Sequence, residues 1–176
     1  MKITKTHDKK YPIIITLEDG TKIKVPKQSK FSNSWLKAHG CSLMAEYLAL
    51  QYVGKHIWPI NLLRWHKKFD KEDIKAKVTL KGVCKGINHY KKGSAEYDGD
   101  PTYHKILTAL KRNEAVILEQ KNPIHSIFLI RDNDMNYIIN YGKVKRVNVK
   151  KIAKTATNNK TYKGMITIKK VGEKYD

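Results

Sequence analysis

The segment His39–Leu50 reads His-Gly-Cys-Ser-Leu-Met-Ala-Glu-Tyr-Leu-Ala-Leu, and its apolar character continues to Val53. Between Leu43 and Val53, Glu46 and Gln51 are the only clear polar exceptions. Such a run is too long for an ordinary strand and too evenly apolar for a surface helix. It predicts a helix that is buried on most of its circumference. We expect the rest of the domain to pack around this helix.

Cys41 stands where the predicted helix begins, directly after Gly40. The unpaired N–H groups and the positive dipole end of a helix N-terminus favour the thiolate form of cysteine, which is the nucleophilic form. The alternative is a structural cysteine, because a small and mildly apolar residue also suits the start of a core helix. Residues further along the chain bear on this choice.

The composition indicates one domain with a strongly basic surface. The chain has 176 residues, and 36 Lys and Arg against 16 Asp and Glu give a net charge of +20. Such an excess suits a polyanionic partner such as nucleic acid, an anionic cell-wall polymer or a membrane surface. The lysines are spread over the whole chain, however, and arginine, the preferred reader of phosphate, is scarce. We therefore predict a generally basic surface, with nucleic-acid binding as a secondary interpretation.

Helices are predicted mainly in the first two thirds of the chain. Asp19-Gly20 is a tight-turn signal between two β-prone runs, which predicts a hairpin over residues 11–27. We assign residues 1–30 to an N-terminal hairpin and linker extension and residues 31–176 to the main domain. Besides the central helix, helices are predicted after Pro59 and over residues 103–111, the latter with its N-cap at Asp100. The glycine-rich run 78–99 is predicted to be mostly loop, with a short strand or helix.

After residue 114 the apolar period changes to two, which indicates strands. Strands are predicted over residues 115–118, 126–130, 136–140, 144–149 and 165–169. Helices followed by an antiparallel meander define an α+β fold. Its N-terminal helical half, with the central buried helix, would pack on a C-terminal antiparallel β-sheet.

His125 stands immediately before the predicted strand over residues 126–130, and Asn140 ends the strand that returns beside it. A two-residue loop at Asn133-Asp134, or a four-residue loop over 132–135, places Ile127 opposite Asn140 and puts His125 on the same face. Diagonal neighbours of this kind are about 7–8 Å apart, within reach of an amide and an imidazole. A three-residue loop would turn Asn140 to the other face. The sequence thus predicts a neighbouring His125 and Asn140.

Cys41, His125 and Asn140 form a coherent chemical set. A thiolate attacks, a neighbouring imidazolium stabilises it and later protonates the leaving group, and an amide orients the imidazole. The backbone N–H of a cysteine that opens a helix can also help to bind an oxyanion.

The ordered series of motifs between Ser34 and Val149 resembles the papain-like cysteine peptidases, in particular the bacteriocin-leader-processing peptidases and their stand-alone bacterial relatives. The resemblance implies a papain-like fold with a cleft between its two halves, and a peptide or protein substrate. Its roles are Cys41 as nucleophile, His125 as acid/base and Asn140 as orienting residue. The segments that carry it are His39-Gly40-Cys41-Ser42 with Ala45, Pro59–Lys68, Leu110–Leu118, Ile124–Leu129 and Tyr137–Asn140.

The chain departs from the family pattern at several positions. Ser42 and Ile124 stand where the family commonly has glycine, and Asn140-Tyr141 replaces its usual Asp-Pro. The family's oxyanion glutamine, usually six residues before the cysteine, would fall on Trp35, which cannot take that role. Ser34 and Asn33 are the alternatives for the oxyanion side chain.

These observations predict a thiol-dependent hydrolase that cleaves a peptide or amide bond through an acyl-enzyme. The alternative is a catalytically degenerate papain-like module that binds an anionic polymer (cell wall or nucleic acid) or a protein through its basic surface. No cofactor or metal is expected, because the histidines and cysteines lack the spacing of zinc ligands. We expect a monomer without a transmembrane segment. As written the chain has no signal peptide and would be cytoplasmic; with an export signal before Met1 it would be extracellular or at the cell surface.

Overall fold

The computed structural model describes residues 1–69, 78–121, 124–140, 142–152 and 162–171. Its strands form two antiparallel sheets, which together with the helices confirm the α+β prediction. The smaller sheet has the order β1 (Lys2–Lys5), β2 (Ile13–Thr16) and β3 (Lys22–Val25). The larger sheet has the spatial order β4 (Ala95–Asp98), β9 (Tyr162–Ile168), β5 (Ala115–Gln120), β6 (His125–Asp132), β7 (Met135–Asn140) and β8 (Lys143–Arg146).

The helices confirm the prediction of a buried helix that begins at Cys41. The helix α2 (Cys41–Tyr52) is buried at every position after Cys41, and Gly54, with a φ of +77°, turns the chain away after it. Both polar exceptions in its apolar run form hydrogen bonds. Gln51 exchanges hydrogen bonds with the backbone of Lys24 in β3, and Glu46 accepts a hydrogen bond from His66 Nε2 across 2.7 Å. The other helices are α1 (Ser34–His39), α3 (Pro59–Phe69), α4 (Leu80–Tyr90) and α5 (Tyr103–Lys111), and a 3-10 turn spans Gln28–Lys30.

The larger sheet separates two apolar layers. On β6, Phe128 and Ile130 pack against α2 and its neighbours, while Ile127 and Leu129 pack with α5. The smaller sheet contributes Ile15 and Ile23, among others, to the layer that contains α2. The division of the chain at residue 30 stays a prediction.

The prediction of mostly loop, with a short strand or helix, over residues 78–99 was wrong, because α4 and β4 together occupy most of that run. Thr79 caps it by accepting a hydrogen bond from Gly82 N, and Leu80, Val83 and Ile87 form its buried stripe. The glycines misled the prediction, since glycine usually weakens a helix. Gly86 is required by packing: a Cβ there would lie 2.0 Å from Glu46 Oε1 and 3.2 Å from His66 Nε2.

Four smaller predictions also need correction. Residues 34–39, for which no element was predicted, form the separate helix α1, and the N-cap of α5 is Thr102 rather than Asp100. The strand β8 ends at Arg146, short of the predicted residue 149. The last strand does not extend a meander but lies between β4 and β5. The charged stretch 71–77, predicted as a connection or short helix, lies outside the described residues.

Candidate active site

Cys41 lies at a sharp junction between two helices. Gly40 is at once the C-cap of α1 and the N-cap of α2, with φ −79° and ψ 7°. A Cβ at Gly40 would lie 2.4 Å from the carbonyl oxygen of Leu36, so a larger residue would displace the last turn of α1. The thiol is partly buried, and the backbone N–H of Cys41 has no partner within its own helix because it is the first residue. The predicted position of Cys41 at a helix start is therefore confirmed.

His125 and Asn140 meet at one end of the β6–β7 hairpin. His125 is 6 % exposed, and its Nε2–H donates to Asn140 Oδ1 across 2.5 Å. Asn133 and Asp134 both have positive φ, 49° and 59°, as a tight two-residue turn requires. The ladder pairs Phe128 with Ile139, so its continuation places residue 127 opposite Asn140, as predicted. Because Nε2 is engaged, Nδ1 is the ring nitrogen that faces the thiol.

A pair of hydroxyl groups joins the two halves beside the thiol. Ser42, the second residue of α2, lies with its Oγ 3.4 Å from Ser126 Oγ on β6. Ser42 Oγ is also 4.0 Å from Cys41 Sγ. Ser42 directly follows Cys41, and Ser126 directly follows His125. Their contact therefore connects the helix that carries the cysteine to the strand that carries the histidine. Serine at position 42, where the resemblance led us to expect glycine, has a positioning role in this packing.

The electrostatics favour an ion pair between Cys41 and His125. Burial alone would raise the pKa of the Cys41 thiol, but hydrogen bonds from the His125 side chain, the Ser126 backbone and Ser42, together with the imidazolium charge, hold that pKa below its ordinary value. Burial alone would lower the pKa of His125, but hydrogen bonds with Cys41 and Asn140 and the thiolate charge raise it. Each group thus stabilises the charged form of the other.

The three side chains share a small cleft between α2 and the sheet. Its cavity volume of about 20 Å³ holds little more than one water-sized group. A substrate would therefore lie across the cleft rather than within it. The lining residues are Pro26, Gln28, Cys41, Met44, Ala45, Leu48, His125, Ser126, Phe128, Ile139, Asn140 and Gly142.

Gln28 is a cleft residue that the sequence analysis did not identify. Its Nε2 donates to the carbonyl of Lys37 across 3.2 Å, which occupies one of the two amide hydrogens and leaves the other for a ligand. The predicted oxyanion candidates lie elsewhere: Asn33 caps α1 by accepting a hydrogen bond from Leu36 N, and Ser34 is exposed at the start of α1, the end remote from Cys41. Spacing from the cysteine could not reveal Gln28, because it reaches the cleft from a separate turn.

The second cysteine has a different environment. Cys84 lies in α4, within 3.7 Å of Asn88 Nδ2, and both cysteines are free. Burial and the nearby Glu96 raise its pKa. In the described part of the chain, no group of three or more His, Cys, Asp or Glu side chains is placed to hold a metal ion.

Comparison with known proteins adds no assignment. No model of a known protein family matches the chain, and no curated protein matches it in sequence. Within the described ranges, none of the helices combines the length and the apolar character needed to cross a membrane. The functional assignment therefore depends on the geometry of the cleft.

Proposed function

We propose that this chain is a papain-like cysteine hydrolase that cleaves a peptide or amide bond. One observation carries the proposal: His125 is held by Asn140 through Nε2 while its other side faces Cys41 at the start of a buried helix. Cys41, His125 and Asn140 are thereby placed as nucleophile, acid/base and orienting amide. The α+β arrangement, with a buried helix packed on an antiparallel sheet, supports a papain-like architecture.

The reaction has two steps. The Cys41 thiolate attacks the carbonyl carbon, and the imidazolium of His125 protonates the leaving amine as the C–N bond breaks, which leaves a thioester. His125 then takes a proton from water as the water oxygen attacks the thioester. The carboxylic acid departs and the thiolate returns. The amide oxygen of Asn140 keeps the imidazole in one orientation and one tautomer throughout.

In this mechanism the Cys41 backbone N–H and the Gln28 side-chain amide bind the oxyanion of each tetrahedral intermediate. Both groups border the same cleft. The two donors approach from different elements, α2 and the 3-10 turn at Gln28–Lys30. Gln28 replaces Ser34 and Asn33 in this role.

Incubation with a complex peptide mixture, followed by mass spectrometry, tests the proposal. Cleavage products should form with the parent and with the Cys84→Ala variant, and none should form with Cys41→Ala. Cys84→Ala is the matched control because it removes the other thiol. Products that persist in Cys41→Ala would contradict the assignment of the nucleophile.

Replacing Gln28 with alanine is expected to lower kcat/KM by about 100-fold, because one oxyanion donor is lost. The rate of Cys41 alkylation should stay near that of the parent, since the thiolate does not depend on Gln28. Asn33→Ala serves as the control. It removes the cap of α1, worth about 1 kcal/mol of stability, without a change in kcat. An equal loss of kcat in both variants would argue against Gln28 as an oxyanion donor.

The pH profile of kcat/KM is expected to be bell-shaped. The acid limb follows formation of the thiolate, and it lies below the ordinary thiol range because the pKa of Cys41 is lowered. The alkaline limb follows loss of the imidazolium proton, and it lies above the ordinary histidine range because the pKa of His125 is raised. The two apparent values belong to the pair. A profile with one limb at the ordinary thiol pKa would exclude the ion pair.

A second candidate function follows from the net charge of +20. A degenerate papain-like module would bind an anionic polymer or an acidic protein without catalysis. Its binding should weaken steeply as salt is added, because each neutralised anion releases counterions. Slow alkylation of Cys41 together with such binding would favour this function over hydrolysis.

A further inference from the structure

The chain segments that carry the cleft residues contain charged side chains of one sign only. We take the four chain segments within four residues of Gln28, Cys41, His125 and Asn140, which are residues 24–32, 37–45, 121–129 and 136–144. They contain six lysines and no aspartate, glutamate or arginine. Lys24 turns away, with its Nζ 5.4 Å from the centre of the Trp58 ring. The other five are exposed, and we call them the rim lysines: Lys27, Lys30, Lys37, Lys121 and Lys143.

Each of the rim lysines lies close to a residue that lines the cleft, either directly or through a neighbouring residue. Lys143 lies directly opposite Asn140 in the β7–β8 ladder. The Cβ of Lys27 is 2.9 Å from the position of a Cβ on Gly142, which lines the cleft. The other three are attached through neighbours: Lys37 accepts the Gln28 hydrogen bond, Lys30 shares its 3-10 turn, and Lys121 follows the residue paired with His125.

Four described acidic residues lie at the opposite end of the β6–β7 hairpin. Glu18 and Asp19 are in the β2–β3 turn, and Glu18 N donates to Asp132 at the end of β6 remote from His125. Asp134 is in the β6–β7 turn and pairs with Arg131. Within the described part of the chain, the β6–β7 hairpin therefore carries its acids at the turn end, and the segments at its cleft end carry lysines.

Four described acidic residues lie nearer the cleft. Asp8 is exposed and accepts hydrogen bonds from the backbone N–H groups of Lys10 and Tyr11, and the carbonyl of Lys10 accepts one from Lys27 N. The other three are each paired with a lysine or remote from β6. Glu119 on β5 is 4 % exposed and lies 3.6 Å from Lys163 Nζ. Asp98 ends β4 and Asp100 follows it, and β4 is three strand spacings, or about 14 Å, from β6. Asp98 forms a 2.7 Å ion pair with Lys105. A substrate that lies across the cleft therefore meets the positive field of the rim lysines.

We propose that the substrate of this site is an acidic peptide segment, with Asp or Glu side chains within about four residues on both sides of the scissile bond. This inference rests on the proposed function. Carboxylates placed there would meet exposed ammonium groups on each bank of the cleft, which raises the local concentration of the substrate and its association rate. The rim favours a peptide over a nucleic acid, because it has no arginine to bind phosphate through two hydrogen bonds.

The test begins with the peptide mixture described above. The best-cleaved sequence is then synthesised with its flanking positions as Glu, Gln or Lys. At about 50 mM salt we expect kcat/KM for the Glu peptide to exceed that of the Gln peptide about tenfold, and the Lys peptide to be poorest. At about 500 mM salt this preference should shrink to threefold or less, because exposed charges are screened.

Charge reversal provides the matched comparison. The triple variant Lys27→Glu, Lys37→Glu and Lys143→Glu should prefer the Lys peptide. The control triple variant, Lys55→Glu, Lys92→Glu and Lys169→Glu, has the same net charge and alters exposed lysines outside the rim; it should keep the preference for Glu. Circular dichroism verifies that both variants are folded.

The outcomes separate this inference from the proposed function. Cleavage at equal rates for the Glu, Gln and Lys peptides, or an equal effect of both triple variants, overturns the inference and leaves the hydrolase in place. Absence of any cleavage, with slow alkylation of Cys41, overturns both. Protection of Cys41 from iodoacetamide by a single-stranded oligonucleotide, but not by a Glu-rich peptide of equal charge, would also overturn the inference.

Discussion

His125→Ala is expected to lower kcat/KM by about a thousandfold, within the range that general acid–base catalysis contributes. The variant loses both the imidazolium that supports the Cys41 thiolate and the acid that protonates the leaving amine. Asn140→Ala should have a smaller effect, because the imidazole remains but is less well oriented. The measurement is kcat/KM on a peptide that the parent cleaves.

Thiol labelling tests the same pair without a substrate. At mildly acidic pH, iodoacetamide should alkylate Cys41 much faster than Cys84, because the pKa of Cys41 is lowered and that of Cys84 is raised. In His125→Ala that difference should disappear. Mass spectrometry of both cysteines gives the two rates. Equal slow rates in the parent would mean that Cys41 is a structural cysteine, and the hydrolase proposal would fail.

Gly86→Ala is expected to destabilise the protein by about 3–5 kcal/mol, comparable to breaking a buried ion pair. The new Cβ would lie 2.0 Å from Glu46 Oε1, so either α4 moves away from α2 or the carboxylate leaves His66. Both partners are fully buried, with side chains 0 % exposed, and neither can reach water without disrupting the core. A large loss of stability follows even though alanine is the better helix former.

Urea denaturation of the parent and the variant measures this loss. Gly99→Ala is the matched control, because the nearest atom to its Cβ would be the end of the Tyr97 side chain at 3.3 Å, in an exposed position. The control should change the free energy of unfolding by less than about 1 kcal/mol. If Gly86→Ala also changes the free energy of unfolding by less than about 1 kcal/mol, α2 and α4 can move apart at little cost in stability, and the prediction is wrong.

Local patterns were sufficient to predict the elements that carry the candidate residues. The apolar run after Cys41 is long enough that only a buried helix accommodates it, and the structure has the helix α2 over Cys41–Tyr52. The Asn133-Asp134 turn determines the register of its own hairpin, so the meeting of His125 with Asn140 followed from residues close in sequence. Such predictions succeed because each depends on contacts within one helix or one hairpin.

Other features depend on packing between distant segments. The sequence favoured loop over 78–99 because two glycines interrupt α4, whereas the tertiary structure requires Gly86 where α4 approaches the Glu46–His66 pair. The position of β9 between β4 and β5 likewise depends on pairing with strands that are distant in sequence, and no local pattern specifies those partners.

The sequence by itself determined the α+β class, the helix that begins at Cys41 and the proximity of His125 to Asn140, because short-range periodicity and turn geometry govern all three. Only the tertiary structure decided that Gln28, rather than Asn33 or Ser34, lines the cleft that contains Cys41. The same holds for the Ser42–Ser126 contact, which joins residues 84 positions apart in the chain. Such contacts depend on how helices and strands pack against one another. The residues adjacent to a polar side chain in the sequence do not indicate which cleft it will line.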